Sequence, residues 1–197
     1  MNKKALIAVL GVSAAALALP AAAQNMSAVY IGGGLGQSKF KGACDGVSGT
    51  GVTCDDKDTS FKIFGGYQLN RNFAAELGYT DLGKAKVTDP FGSTELSATA
   101  WELSAVGMFP VMEALSIYGR LGGYWGEGKL SGSGASGSKT TTNLTYGLGV
   151  QYDFMKNFGV RGEWQRYSKV KVKDDASGTE DSGDIDVLGV SVLYRFQ

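Results

Sequence analysis

The sequence predicts an all-β protein: an eight-stranded antiparallel up-and-down transmembrane β-barrel. Three observations point there. Eight segments alternate apolar with small or polar residues at period two. The connections between them alternate long and short. One face of these segments is aliphatic and edged with aromatics, while the other mixes charge with glycine.

The segments run over 28–38, 60–69, 73–83, 97–109, 114–127, 141–154, 158–169 and 184–196. No stretch after the first residues shows a helical period, and the chain holds 30 glycines but only 3 prolines. Long polar connections are expected at Lys39–Thr59, Lys84–Leu96, Gly128–Thr140 and Val170–Gly183, with short ones at 70–72, 110–113 and 155–157. Four loops at one end and three tight turns at the other describe a meander. An even strand count with both ends of the meander on the short-turn side is what closure of an antiparallel barrel requires.

The faces are distinct. The third segment puts Phe73, Ala75, Leu77 and Tyr79 on one side; the fifth does so with Leu115, Ile117, Leu121 and Trp125. The sixth aligns Leu144, Tyr146, Leu148, Val150, Tyr152 and Phe154, and the last aligns Val190, Val192, Tyr194 and Phe196. Opposite them stand Glu76 and Thr80; Ser116, Tyr118 and Arg120; Thr145, Gln151 and Asp153; Ser191 and Arg195. Alternation alone does not say which face is inside, and a soluble barrel would bury the apolar one. Three features favour lipid outside. Aromatics gather near segment ends (Tyr67, Phe73, Phe109, Phe154, Phe158, Trp164, Phe196), glycine fills the polar face, and the last segment closes on "VLYRFQ".

Ahead of the barrel, "MNKK" is a short basic start, "ALIAVLGVSAAALAL" an apolar run, and Ala21 and Ala23 supply an A-x-A cleavage site. That layout is a secretory signal peptide over 1–23, leaving one barrel domain over 24–197. The run is short for a membrane-spanning helix, which needs about 20 apolar residues. The two cysteines, Cys44 and Cys54, flank a Gly/Ser/Thr-rich stretch of an exported chain and read as a disulfide rather than a metal site. Charge is balanced, with 19 basic and 19 acidic residues, so nothing points to a nucleic-acid partner.

"VYIGGGLGQSKF" (29–40), "FGGYQLNRNFAAELGYTDLGK" (64–84), "LSIYGRLGG" (115–123), "YGLGVQYDFMKNFGVRGEWQ" (146–165) and "LGVSVLYRF" (188–196) resemble, in order, the transmembrane domain of OmpA-like outer-membrane proteins. The resemblance implies a barrel in the outer membrane of a Gram-negative bacterium, surrounded by lipid and lipopolysaccharide. It implies folding by the outer-membrane assembly machinery, with Tyr194 and Phe196 in the C-terminal signal and Gln197 a small departure from it. No segment matches the peptidoglycan-binding domain that many such proteins carry, so peptidoglycan tethering is not expected. A closed barrel has no free edge and is expected to be a monomer.

The same resemblance places the family's interior gate residues on Glu76 and Arg161, whereas its interior lysine falls near Ser104 or Ala105 and a further acid falls on Gln151. Alternation independently turns Lys62, Glu102, Arg120, Glu163 and Arg195 inward. The expected lumen network is therefore Glu76, Glu102 and Glu163 against Lys62, Arg120, Arg161 and Arg195. With two gate partners missing, a single Glu76–Arg161 arrangement is expected.

No catalytic site is expected. The chain contains no histidine, which excludes any Ser–His or Asp–His mechanism. "KDDASGTED" (173–181) lacks the spacing of a calcium loop, and "YIGGGLG" (30–36) lies in a strand with no helix after it, so neither a metal nor a cofactor is expected. The expected function is a non-enzymatic structural barrel with at most a narrow, charge-plugged pore. The alternative is a surface adhesion or host-interaction protein acting through four extracellular loops.

Overall fold

Alternation at period two becomes nine β-strands in the computed structural model, which describes residues 28–45, 52–89, 92–132, 135–173 and 180–196. They are β1 (Ala28–Phe40), β2 (Thr53–Asp55), β3 (Lys57–Gln68), β4 (Phe73–Asp89), β5 (Gly92–Pro110), β6 (Leu115–Gly132), β7 (Ala135–Tyr152), β8 (Phe158–Lys173) and β9 (Glu180–Arg195). The expected leader over 1–23 and most of "KDDASGTED" lie outside the described residues.

All but β2 form the barrel. Each strand pairs antiparallel with its chain neighbour, and β1 closes on β9 from Tyr30↔Arg195 to Phe40↔Ile185. Every backbone donor and acceptor in the wall can thus be met inside the sheet, which a strand must achieve to sit in hydrocarbon.

The strands run further than expected at the end opposite the short turns. Residues 84–96 and 128–140, expected as loops, instead extend the β4–β5 and β6–β7 hairpins to Asp89↔Gly92 and Gly132↔Ala135. The cause is that the period-two signal records burial on one face. Beyond Gly83 the inward positions of β4 shift to Ala85 and Val87, and 128–140 is mostly small and polar residues, so the ladder continues while the apolar alternation fades. Strand β2, likewise not anticipated, pairs Cys54 with Val87 and lays the first connection along β4.

Two bulges interrupt the wall, at Asp81/Lys84 in β4 and Tyr167/Val170 in β8. Gly83 takes φ +73° at the first and Lys169 φ 52° at the second. Strands β4 and β8 are four neighbours apart in either direction around the barrel, so the bulges face each other across the lumen. They press Leu82 and Tyr167, both buried, toward its centre.

The aliphatic face is outside. Leu148, Leu188 and Val190 are 66%, 67% and 64% exposed, while Glu76, Arg120 and Arg161 on the other face are 2%, 4% and 4% exposed. A lower aromatic belt of Tyr67, Phe73, Phe109, Phe154, Phe158 and Phe196 sits by the short turns. An upper one is built from Tyr79 on Trp101 at 5.1 Å, Tyr146 on Trp164 at 6.1 Å, and Trp125 opposite Trp101. From Phe109 to Trp101 is about the length a tilted strand needs to cross the apolar layer.

Cys44 and Cys54 form a disulfide with Cα atoms 5.8 Å apart. It ties the first connection to β2, outside the barrel wall. Chain-entropy arguments assign such a short loop about 3 kcal/mol or somewhat less, confined to that connection. Unboiled protein is therefore expected to keep the same fast electrophoretic mobility with and without reductant, and boiling to slow it in both. Loss of the fast form on reduction alone would mean that the disulfide holds the barrel itself.

Candidate functional site

The lumen is filled in three layers. Nearest the short turns, Tyr30, Phe64, Ala74, Val106, Met108, Tyr118 and Leu193 pack as one buried cluster. At the other end Phe40, Leu82, Ala85, Ala98, Ala100, Tyr124, Tyr167, Val170 and Ile185 form a second. Between them lie the charges.

Glu76 projects from β4 between Gly66 of β3 and Ser104 of β5, its register partners. Small neighbours leave room for large partners. Arg161 of β8 reaches across the full width of the lumen to Glu76 Oε1, Arg120 of β6 reaches Glu76 Oε2, and the Tyr30 hydroxyl donates to Oε1 at 2.7 Å. Arg120 also donates to Glu102 at 2.6 Å and lies 3.0 Å from Glu163, the latter an ion contact whose Nε–H is not aimed as a hydrogen bond. Lys62 completes the set, 2.9 Å from Glu102 and 3.1 Å from Glu163.

The same packing rule repeats. In register, Lys62 adjoins Gly34, Glu102 adjoins Gly78, and Arg120 adjoins Gly147. Glu163 stands between Gly149 and Gly189. Neutral groups finish the network: Gln165 donates to Glu102 at 2.6 Å and Tyr167 donates to it at 2.7 Å, while Tyr118 donates to Glu163 at 2.8 Å. On the short-turn side the Arg161 guanidinium is caged by the rings of Tyr30, Phe64 and Tyr118, at 5.3, 5.2 and 5.1 Å.

Six of the seven expected network residues therefore meet in one cluster. Arg195 does not. It is drawn instead to Asp153 at 3.5 Å, near the short-turn mouth. Asp153 accepts from Gln151 at 2.9 Å and Gln151 accepts from Arg161 at 2.7 Å, so among the described residues Arg195 connects to the cluster through that chain. Setting it aside leaves three acids and three bases, a neutral buried set. Glu76 meets Arg161 and Arg120 together, and Arg120 bridges all three acids. Gln165, Tyr118, Tyr30 and Tyr167 escaped sequence reasoning as members. Their inward alternation was readable, but their reach across the lumen was not.

A closed antiparallel barrel with an aliphatic exterior, two aromatic belts and a charged interior is a membrane-spanning β-barrel of the outer-membrane type. The chain belongs to the family of outer membrane protein beta-barrel domains, whose model matches residues 5–196. Outer membrane protein A of Yersinia pseudotuberculosis is 30% identical over 173 residues, covering 85% of this chain and 48% of that protein. Outer membrane protein P5 of Haemophilus influenzae is 30% identical over 217 residues, covering 98% of this chain and 60% of that one. The chain thus spans about half the length of the curated relatives it matches. Among solved structures, Neisserial surface protein A aligns with TM-score 0.61 at 18% identity, over 85% of this chain and 97% of that one. Ail of Yersinia pestis, in complex with the heparin analogue sucrose octasulfate, aligns with TM-score 0.54 at 22% identity, over 86% and 99%. These neighbours share the fold. The protein is an OmpA-like barrel of the outer membrane, where its outer face meets lipid.

Proposed function

We propose that this chain is a non-enzymatic structural barrel whose lumen is a closed plug rather than a working pore. The observation that supports this most is the layering: a neutral, mutually bonded charge cluster lies between two apolar clusters. An ion entering from the upper end meets side chains that offer no hydration before it reaches the cluster. At the short-turn mouth Arg195 and Asp153 are already paired with each other, outside a second apolar layer. Three of the bonds also brace the barrel across its width, Glu76–Arg161 and Tyr167 to Thr80 at 2.9 Å between opposite strands, and Lys62–Glu163 between β3 and β8.

The test is conductance in planar bilayers. Folded protein is expected to give no resolved steps, and Glu76→Gln is expected to give none either, since both apolar layers remain. Switching between two conducting states, altered by Glu76→Gln, would overturn the plug and restore a gated pore.

On this reading the signal over 1–23 is removed on export. Tyr194 and Phe196, whose rings meet at 4.9 Å at the end of β9, serve the assembly machinery. With no free edge the barrel acts as a monomer.

A second reading, surface attachment, is favoured by the long hairpins β4–β5 and β6–β7 standing above the upper belt. Their basic groups are largely spent on acids, however: Lys84 and Lys86 lie 3.3 and 3.4 Å from Glu95, and Lys129 3.5 Å from Glu127. The hydrogen bond from Lys84 holds the Glu95 carboxyl below its usual range. Whereas the Ail neighbour was solved with a heparin analogue, this chain is expected to pass through immobilised heparin at physiological salt. Retention there would favour attachment to polyanions.

A further inference from the structure

Above the upper apolar cluster the barrel does not close solidly. A cavity of about 640 Å³ lies between the first connection and strands β4, β5, β6, β8 and β9. Most of its wall is hydrocarbon, from Phe40, Val87, Leu96, Leu130, Val170 and Ile185, with polar groups of Asp45, Thr94, Ser182 and Asp184 at its edge. Small residues create the room, since Ala85 and Ala98 stand on adjacent strands where a larger side chain would fill it. Below it Leu82, Tyr124 and Tyr167 pack tightly, with the two rings 5.4 Å apart and edge to face. Tyr124 is pinned by its hydroxyl to the Ser168 carbonyl at 2.7 Å, and Tyr167 to Thr80 and Glu102.

The size and lining match those of sites for small organic molecules, which run from about 300 to 1,000 Å³ and are mostly apolar with a few polar groups. Water placed against the hydrocarbon part of that wall finds few partners, whereas an apolar body removes wall and ligand surface together. The cation at the rim and the acid beside it are already engaged. Lys41 lies 3.1 Å from Asp186, and Asp184 accepts from the Lys169 amide at 3.0 Å. An ionic head would have to displace those bonds, and an uncharged ligand would not.

We propose that this cavity is a binding site for a small, uncharged, hydrocarbon-bodied molecule. The two bulges make it a dead end: Leu82 and Tyr167 fill the lumen beneath the lining residues, so the site captures its ligand without passing it down the lumen. The site does not depend on whether the charge cluster beneath it conducts.

The test is methyl NMR of the folded protein in deuterated-lipid nanodiscs, titrated with toluene. Val87, Leu96, Val170 and Ile185 methyls are expected to shift along one saturable curve. Methyls of Leu148 and Leu188 on the lipid face are expected to shift linearly, as toluene partitions into the bilayer. Ala98→Phe fills the cavity and is expected to weaken saturable binding about tenfold or more, whereas Ala105→Phe, outward on the same strand, leaves it unchanged. Should Ala98→Phe fail to give a heat-modifiable barrel, Leu130→Trp replaces it. Cavity methyls that shift only linearly would overturn the proposal, as would saturation that survives a folded, filled variant.

Discussion

Arg120→Met is expected to lower the unfolding free energy of the barrel by about 3–5 kcal/mol, the usual loss when one partner of a buried ion pair is removed. Arg120 is the one cation that touches all three lumen acids, with its side chain 1% exposed. Methionine keeps much of the volume and removes the charge. Three acids then face only Lys62 and Arg161, and a net negative charge is left in a space with no access to counterions. Adding Glu76→Gln restores neutrality and is expected to recover most of the loss, although Glu76→Gln alone, which leaves a net positive charge, also destabilises. Urea unfolding in phosphatidylcholine vesicles, followed by tryptophan emission, measures the cycle. Because the cluster is buried, the loss should change little with salt. If the double variant loses the sum of the two single effects, the role of Arg120 is packing, and the neutral-cluster account fails.

The inward and outward sides of the wall were legible in the sequence because lipid and lumen impose opposite demands on alternate residues. Thus "FAAELGYT" already sorted Phe73, Leu77 and Tyr79 from Glu76 and Thr80. What was not legible is who meets whom. Glu76 and Arg161 are 85 residues apart, and a period of two carries no information about the height at which two strands cross. Arg195 was grouped with the network for that reason: it points inward, but at the level of Asp153. The bulges were equally hidden. Inward residues of β4 fall on even positions through Leu82 and then on Ala85, so the alternation slips at Gly83. Read as a simple period, the slip looks like the end of a strand. The structure shows instead a wall that continues and narrows, and that narrowing separates the polar layer from the cavity above it.

Gly122→Val is expected to cost about 1–3 kcal/mol or more, or to block folding outright, whereas Gly123→Val, one residue along, is expected to be near neutral. The two glycines face opposite ways in β6. A Cβ at Gly122 would fall on the Leu103 carbonyl oxygen and the Ser104 side chain, and the carbonyl belongs to the sheet and has nowhere to move. A Cβ at Gly123 meets only the Asn143 carbonyl, at 3.9 Å, an ordinary contact on the outer face. A β-branched residue suits that outer position. Urea midpoints of the two variants in the same vesicles, with the unboiled electrophoretic form as the measure of folding, decide the matter. Equal effects would mean that glycine serves this strand through backbone freedom rather than space. Unequal effects in the stated order would make lumen volume the reason charge and glycine alternate on the inner face. An eight-stranded lumen holds three acids, three bases and their bonded neighbours only because residues such as Gly66, Gly147, Gly149 and Gly189 give up their own side chains beside them.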